Sequence, residues 1–338
     1  MWLENQLARL TGAPFDANAW RPAWLEPELA TLTSDRFSDP GWIFERKLDG
    51  ERCLAFRDGS GLRLLTRNKK EITATYPEVA AALAGQPDID FVADGEIVAF
   101  ERGRTSFARL QQRMQVARPE PELIGAVRVH FYLFDLLFAG GHDIRRLPLR
   151  ERKGLLRQLV SFTGPLRFTA HHNTDGEAFW RQACRWGWEG LIAKRADAPY
   201  RAGRSRDWLK FKCENAQEFV IGGYTEPRGA RSGFGALLLG YYRADGRLAY
   251  AGKVGTGFDA RTLASLHATL AGLERPRSPF GHGEPPSAGV HWTEPRLVAQ
   301  VAFTEWTAAG QLRHPSYLGL RRDKDPASVV RETPVTVS

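Results

Sequence analysis

The stretch Val127–Phe138 is the strongest constraint on how this 338-residue chain folds. It is apolar almost without a break, so as a strand it has no polar face to offer to water. It must run inside a sheet that is covered on both sides. Around it lie short strands separated by Asp-Gly turns: Trp42–Lys47, Arg52–Phe56 and Leu62–Thr66, with turns at Asp49-Gly50 and Asp58-Gly59. Phe91–Phe100 is a further strand pair, bent at Asp94-Gly95. Tyr76–Ala84, Leu149–Leu159 and Glu177–Trp186 read as helices. Thr105 or Ser106 can cap another, with Phe107, Leu110 and Met114 on one face. Gly190–Lys194 and Trp208–Cys213 read as strands. Together these make one mixed α+β domain.

After Glu214-Asn215 the character changes. Phe219–Tyr224, Ala236–Tyr242 and Arg247–Val254 read as strands, the last two joined by a turn at Asp245-Gly246. A helix (Ala260–Leu273), a Pro/Gly-rich loop and the strand Leu297–Phe303 follow. Several short strands with one helix suggest a small barrel of the OB type. The expected organisation is a lead-in over 1–40 packed on the first domain, a first domain over 41–215, a β-rich domain over 216–326 and a tail over 327–338.

Composition narrows the function. No apolar run approaches the roughly 18 residues of a membrane helix, and the start lacks the basic and apolar regions of a signal peptide. Three cysteines, an odd number without metal-ligand spacing, are expected to be reduced and mostly buried, and a structural zinc site is not expected. Lys and Arg number 47 against 39 Asp and Glu, a net charge of +8. The excess is spread over both halves, and a polyanion such as nucleic acid is its natural partner. Only 9 of the 47 basic residues are lysines. An amine can lose its proton and act as a nucleophile, which a guanidinium cannot, so each lysine is informative.

Lys47 stands at a strand end before a turn, with Glu45 on the same strand face. It is a candidate nucleophile if cationic neighbours or burial lower its pKa; otherwise it is an exposed lysine beside a hairpin. Lys210 and Lys212 share a strand face about 7 Å apart. Such a pair suits an anion such as phosphate and could help depress a nearby lysine, or it belongs to an ordinary half-exposed strand. Asp94 and Glu96 flank a glycine in an apolar strand, and Glu189 opens another. Carboxylates so placed can hold Mg²⁺ or ribose hydroxyls, or belong only to turns. Phe134 is a core aromatic or a base-stacking ring. Arg321, Asp323 and Lys324 form a dense charged group that is either a pyrophosphate contact or a solvated end.

No Walker-type or dinucleotide glycine loop is present. The ordered set is Glu45-x-Lys-x-Asp-Gly, Thr66-Arg-Asn68, Asp94-Gly-Glu96, Phe134-Asp135, Glu189-Gly-Leu-Ile-Ala-Lys194, Trp208-Leu-Lys-Phe-Lys212 and Arg321-Arg-Asp-Lys324. It resembles the ATP-dependent DNA ligases of the covalent nucleotidyltransferase superfamily. Tyr200–Lys210, Val220–Tyr224, Gly252–Phe258, Phe303–Thr307 and Leu312–Pro315 look like the ligase module of the bacterial end-joining ligases. The resemblance implies a nucleotidyltransferase (adenylation) domain followed by an OB-fold domain, hinged near Glu214–Gln217.

By the same resemblance, Lys47 takes AMP from ATP, passes it to the 5′-phosphate of a nick, and the 3′-hydroxyl displaces it. Glu45 and Phe134 would meet adenine. Arg52 and Arg67 would reach ribose or the nick phosphate, and Glu96 would hold ribose or metal. Asp49 and Glu189 would bind Mg²⁺ or Mn²⁺. Lys194, Lys210 and Lys212 would contact phosphate, and Arg321, Asp323 and Lys324 would orient pyrophosphate. Implied partners are nicked or broken duplex DNA, a Ku-like end-binding protein and a separate polymerase or primase. A monomer in the bacterial cytoplasm is expected. An RNA ligase, a GTP-dependent capping enzyme and a non-catalytic OB-type binder are the competing readings. The larger ligases' additional DNA-binding domain has no counterpart in the about 46 residues before Lys47, so a weaker, more salt-sensitive grip on DNA is expected.

Overall fold

The apolar stretch forms the strand Val129–Ala139, buried along nearly its whole length. The computed structural model describes residues 2–12, 22–87, 89–114, 116–227 and 232–336. The chain divides into two units, Met1–Cys213 with Pro334–Ser338, and Glu214–Thr333. Residues 13–21 of the expected lead-in lie outside the described residues.

In the first unit the elements that position the site are β1 (Glu28–Leu32), β2 (Trp42–Arg46), β3 (Glu51–Asp58), β4 (Gly61–Thr66), α1 (Pro77–Ala84), β5 (Phe91–Glu101), β6 (Val129–Ala139), α2 (Leu149–Leu159), β7 (His171–Asn173), α3 (Gly176–Arg185), β8 (Gly190–Arg195) and β9 (Gly203–Lys212). They build two sheets. One runs β1-β9-β8-β2-β7, and the other carries β4-β3-β5-β6. Phe91–Phe100, expected as a strand pair bent at Asp94-Gly95, lies within one strand, and Asp94-Gly95 marks a register shift where β5 pairs with β6.

Side chains alternate across each strand, so each sheet has two faces to bury. Leu54, Phe56, Val92, Phe134, Leu137, Tyr200 and Trp208 pack together in one cluster drawn from both sheets. Trp42, Phe44, Leu191, Leu209 and Phe211 point the other way and are covered by Phe179, Trp180 and Ala183 of α3. Cys53, Ala55, Phe91 and Phe131 are covered by Val79 and Leu83 of α1 and Leu155, Leu156 and Leu159 of α2. Each fully buried Phe or Leu adds about 1.5–3 kcal/mol, so truncating Phe44 or Phe211 to Ala would cost roughly 3–5 kcal/mol.

The structure adds detail to two expectations and overturns one. The lead-in holds a true strand, since β1 pairs in parallel with β9. Its partner lies some 175 residues away, beyond the reach of local patterning. The expected tail is also anchored in part, because Val335 bridges Thr33. Finally, the cysteines are not all thiols. Cys184 at the end of α3 and Cys213 just after β9 form a disulfide, and Cys53 alone is free and buried. Packing α3 across β9 brings together two residues that their spacing of 29 did not single out.

In the second unit, β10 (Asn215–Thr225), β11 (Leu237–Tyr242), β12 (Leu248–Val254), α4 (Ala260–Ala271), β13 (Phe280–His282), β14 (Val290–Phe303) and β15 (Ser316–Leu320) give a β-rich, OB-like fold. β14 pairs with both β10 and β15. Leu266 and Leu270 of α4 close one end of a core built on Phe219, Ile221, Leu237, Leu239 and Val301.

Candidate active site

Three strands of the first sheet set the site by register. Glu45 of β2 faces Ile192 of β8, which faces Lys210 of β9. One row along, the Lys47 backbone N–H donates to the Gly190 carbonyl at 2.9 Å, and Gly190 faces Lys212. Directly opposed residues of antiparallel strands project to the same side. Glu45, Lys47, Lys210 and Lys212 therefore share one face. Lys47 and Lys212 stand two strands apart, about 10 Å, with only a glycine between them. The turn after Lys47 is tucked tightly under β5. A Cβ on Gly50 would lie 2.1 Å from the Ile97 carbonyl oxygen, so the turn closes only with glycine there.

The Lys47 side chain is 19% exposed, and its Nζ lies 2.5 Å from Glu189 Oε1. Burial disfavours the ammonium, but Glu189, with Asp49 and Glu96 behind it, outweighs burial and holds the Lys47 pKa above the ordinary lysine value. The expected depression by cationic neighbours is thus reversed. Three carboxylates act on this amine more strongly than Lys210 and Lys212 do. Asp49, Glu96, Arg67, Lys210 and Lys212 all have interactions of their own. Lys212 is buried, Lys210 and Arg67 half-buried.

Glu45 is 2% exposed and splits its carboxylate between two ammoniums. Oε1 lies 2.5 Å from Lys153 Nζ, and Oε2 lies 2.6 Å from Lys194 Nζ. Burial alone would raise the Glu45 pKa; the two lysines together lower it. Lys194 is itself buried, 3.9 Å from the Trp208 ring centroid and 4.1 Å from that of Phe134. Burial, with Lys153 nearby, pushes its pKa below the ordinary value against the pull of Glu45. Lys194 is therefore committed to Glu45 and two aromatic rings. By register it projects to the same face as Lys210 and Lys212, opposite Trp208.

Sequence reasoning missed Lys153. It projects from α2 and also donates to the Thr169 carbonyl at 3.0 Å and, more distantly, to that of Phe134 at 3.4 Å. The polar run Arg150-Glu-Arg-Lys153 looks like a solvated helix face, and only packing shows that its last two members turn inward. Arg152 forms a fully buried bidentate pair with Asp135, at 2.7 and 2.9 Å.

Arg52 makes a bidentate pair with Asp94, both contacts 2.6 Å, and its guanidinium sits 4.6 Å from the Phe134 ring centroid. Burial works against the charge, yet Asp94 raises the Arg52 pKa further. Tyr200 donates to Asp94 Oδ2 at 2.6 Å and accepts from the Glu28 N–H at 2.9 Å. Phe134 is thus an aromatic shared by Arg52 and Lys194, with Trp208 against its edge. Glu96 lies opposite Arg52 across β3 and β5.

Arg321, Asp323 and Lys324 belong to the second unit and are paired there. Arg321 forms a bidentate pair with Asp323, at 2.9 and 2.7 Å, and Lys324 Nζ lies 3.0 Å from Glu218. They are an ordered ion-pair group, not a fraying end.

Around Lys47 the donor set is hard oxygen, which suits Mg²⁺ or Mn²⁺. Glu189 Oε2 is buried and finds no hydrogen-bond partner, so one carboxylate oxygen remains to be satisfied. Among the described residues no three His, Cys, Asp or Glu converge into a closed metal cage. These residues fit a cation that takes one or two carboxylates and draws its other ligands from phosphate and water, the usual Mg²⁺ arrangement.

Comparisons with known proteins bear on most of the chain. The family model described as ATP dependent DNA ligase domain matches residues 27–212, and that described as ATP dependent DNA ligase C terminal region matches 230–324. The multifunctional non-homologous end joining protein LigD of Pseudomonas aeruginosa is 39% identical over 300 residues, covering 87% of this chain and 35% of that one. The chain thus spans little more than a third of the length of that relative. DNA ligase C2 of Mycolicibacterium smegmatis is 31% identical over 295 residues, covering 84% of this chain and 80% of that one. Among solved structures, mycobacterial DNA ligase D complexed with ATP and MES is 37% identical with a TM-score of 0.66, covering 91% of this chain and 98% of that one.

Proposed function

The chain belongs to the ATP-dependent DNA ligase family, and from that premise we propose that Lys47 is its nucleophile and that nicked or broken duplex DNA is what it seals. The observation that carries this reading is Lys47 itself. It is a partly exposed amine at a strand end, its backbone tied to Gly190 and its Nζ held by Glu189.

In the first step the free amine of Lys47 attacks the α-phosphorus of ATP. A P–N bond forms, the bond to pyrophosphate breaks, and the amine's proton passes to solvent. Next an oxygen of the 5′-phosphate at the nick attacks the same phosphorus and releases the lysine. The 3′-hydroxyl then attacks the 5′-phosphorus and releases AMP. Phosphoryl transfers of this kind depend on positioning and charge stabilisation.

Each side chain of the face has a part. Glu189 orients the Lys47 amine until nucleotide binds. Lys210 and Lys212, on the same face, balance the phosphate charge. Phe134 stacks on the purine, its ring fixed by Lys194, Arg52 and Trp208, and Glu45 with its two lysines forms the wall behind it. Arg52, Arg67 and Glu96 meet the ribose or the nick phosphate. Asp49 and Glu189 supply the carboxylates for a divalent cation, which when bound would neutralise phosphate charge and leave Lys47 with fewer anionic partners. Arg321, Asp323 and Lys324 engage pyrophosphate. The likeness to LigD favours a role in joining broken ends alongside an end-binding protein and a polymerase.

The test is sealing of a nicked duplex with a 5′-phosphate, ATP and Mg²⁺ or Mn²⁺. Wild-type protein is expected to produce the sealed strand and Lys47→Ala none. Equal sealing by the two proteins would end the reading.

A further inference from the structure

The opposite face of the same strand end is unassigned. Arg46 precedes Lys47 and projects to the other side of β2. Its guanidinium lies 4.5 Å from the Trp188 ring centroid and 5.6 Å from that of Phe100. Its Nε and Nη2 are buried and find no hydrogen-bond partner. The guanidinium instead stacks on these rings and leaves positive charge behind the Trp188 indole.

Trp186 continues the shelf. Its ring is 4.8 Å from that of Trp188 and tilted 46° to it. It is 47% exposed, and the other large exposed apolar side chains among the described residues are aliphatic. Between the two tryptophans, Gly187 has φ +70, and the Arg104 guanidinium packs where a side chain would stand, 2.5 Å from an added Cβ. Glycine thus lets an exposed arginine lie against the backbone between the two tryptophans in sequence. Trp188 is followed directly by Glu189, the partner of Lys47.

We propose that Trp186 and Arg104, backed by Trp188 and Arg46, form a contact surface for duplex DNA next to the nick, with Arg104 on a backbone phosphate and the Trp186 ring against a sugar or a frayed base. This rests on the ligase reading and adds a substrate surface to it. Charge complementarity selects the occupant. The patch is cationic and aromatic in a chain of net charge +8, and its exposed guanidinium, that of Arg104, suits anionic oxygen. Exposed indole with arginine is the chemistry that holds nucleic-acid strands without sequence preference.

The test compares wild type, Trp186→Ala, Trp186→Phe and Arg104→Ala on a nicked duplex over a range of salt. Transfer of label from ATP to protein without DNA is measured on the same preparations. Expected are a roughly tenfold rise in KM for the nick in Trp186→Ala, of the size that loss of one base–aromatic stack gives, recovery in Trp186→Phe, and protein labelling retained. Arg104→Ala should lower the slope of log affinity against log salt by about 1. Unchanged KM and slope would overturn the proposal. So would loss of protein labelling in both Trp186 variants, which would assign the ring to the nucleotide site. Absence of label on the wild-type protein would instead overturn the ligase reading beneath it.

Discussion

Lys153 Nζ lies 2.5 Å from Glu45 Oε1, and both side chains are 2% exposed. Lys194 Nζ holds the other carboxylate oxygen at 2.6 Å. One buried carboxylate thus serves two buried ammoniums, and the cluster tolerates loss of a cation better than loss of the anion. Removing the one partner of a buried charge costs about 3–5 kcal/mol, because the remaining charge has no water to return to. Glu45→Gln should therefore destabilise the protein by about that amount, and Lys194→Met by less. Adding Lys194→Met to Glu45→Gln should recover part of the loss. Denaturant melts of the single and double variants check this, and strictly additive losses would contradict it.

Glu189 should govern the pH at which Lys47 becomes reactive. Its carboxylate, with Asp49 and Glu96, holds the Lys47 pKa above the ordinary value, so the free amine is scarce at neutral pH. Protein labelling by ATP under single-turnover conditions should rise with pH across the neutral and mildly alkaline range. In metal-free, nucleotide-free protein, where Glu189 still holds the amine, Glu189→Gln should move the rising limb of Lys47 labelling by an amine-specific reagent to lower pH. An unmoved limb would show that another group sets it.

Glu28 gives a stability signature with a defined sign. Burial, offset by hydrogen bonds from Ser205 and the Arg201 N–H, raises its pKa to about 7 from 4.5. A raised carboxyl pKa means that the folded state binds the proton more tightly than the unfolded state. Stability is then lost as pH climbs from about 4.5 to about 7 and stays lower above that. The effect amounts to up to about 3 kcal/mol. Glu28→Gln should flatten the dependence of Tm on pH between 5 and 8. An unaltered slope would contradict the account.

Cys184–Cys213 should be detectable by thiol counting. Denatured protein that has not been reduced should offer one thiol, Cys53, and reduced protein three. A loop of this separation is worth about 3–4 kcal/mol in the chain-entropy picture, so a reductant should lower Tm by several degrees. Three thiols without reductant would show that the bond does not form.

Much of the site was legible because its residues are punctuation. Lys47, Asp49 and Gly50 sit at a strand-to-turn junction, and the alternation in Trp208–Lys212 placed both lysines on one face. The strand at the heart of the second sheet was legible because Val127–Phe138 allows no exposed face. Elements that depend on distant partners were not. β1 is short and unremarkable until β9 lies beside it. Lys153 looks like surface until α2 turns it toward Glu45. The surroundings of Lys194 were not legible either, since only packing brings Glu45, Phe134 and Trp208 around it. The pKa of Lys47 took the opposite direction because Glu189 reaches the amine at contact distance while Lys212 is two strands away.

The most direct test of the central claim is transfer of label from α-labelled ATP to the protein, after pyrophosphate treatment to discharge any bound AMP, with the modified residue mapped by mass spectrometry. The account predicts label that survives denaturation, maps to Lys47, is lost in Lys47→Ala and is not supplied by GTP. Label on another residue, its persistence in Lys47→Ala or its absence from wild-type protein would contradict it.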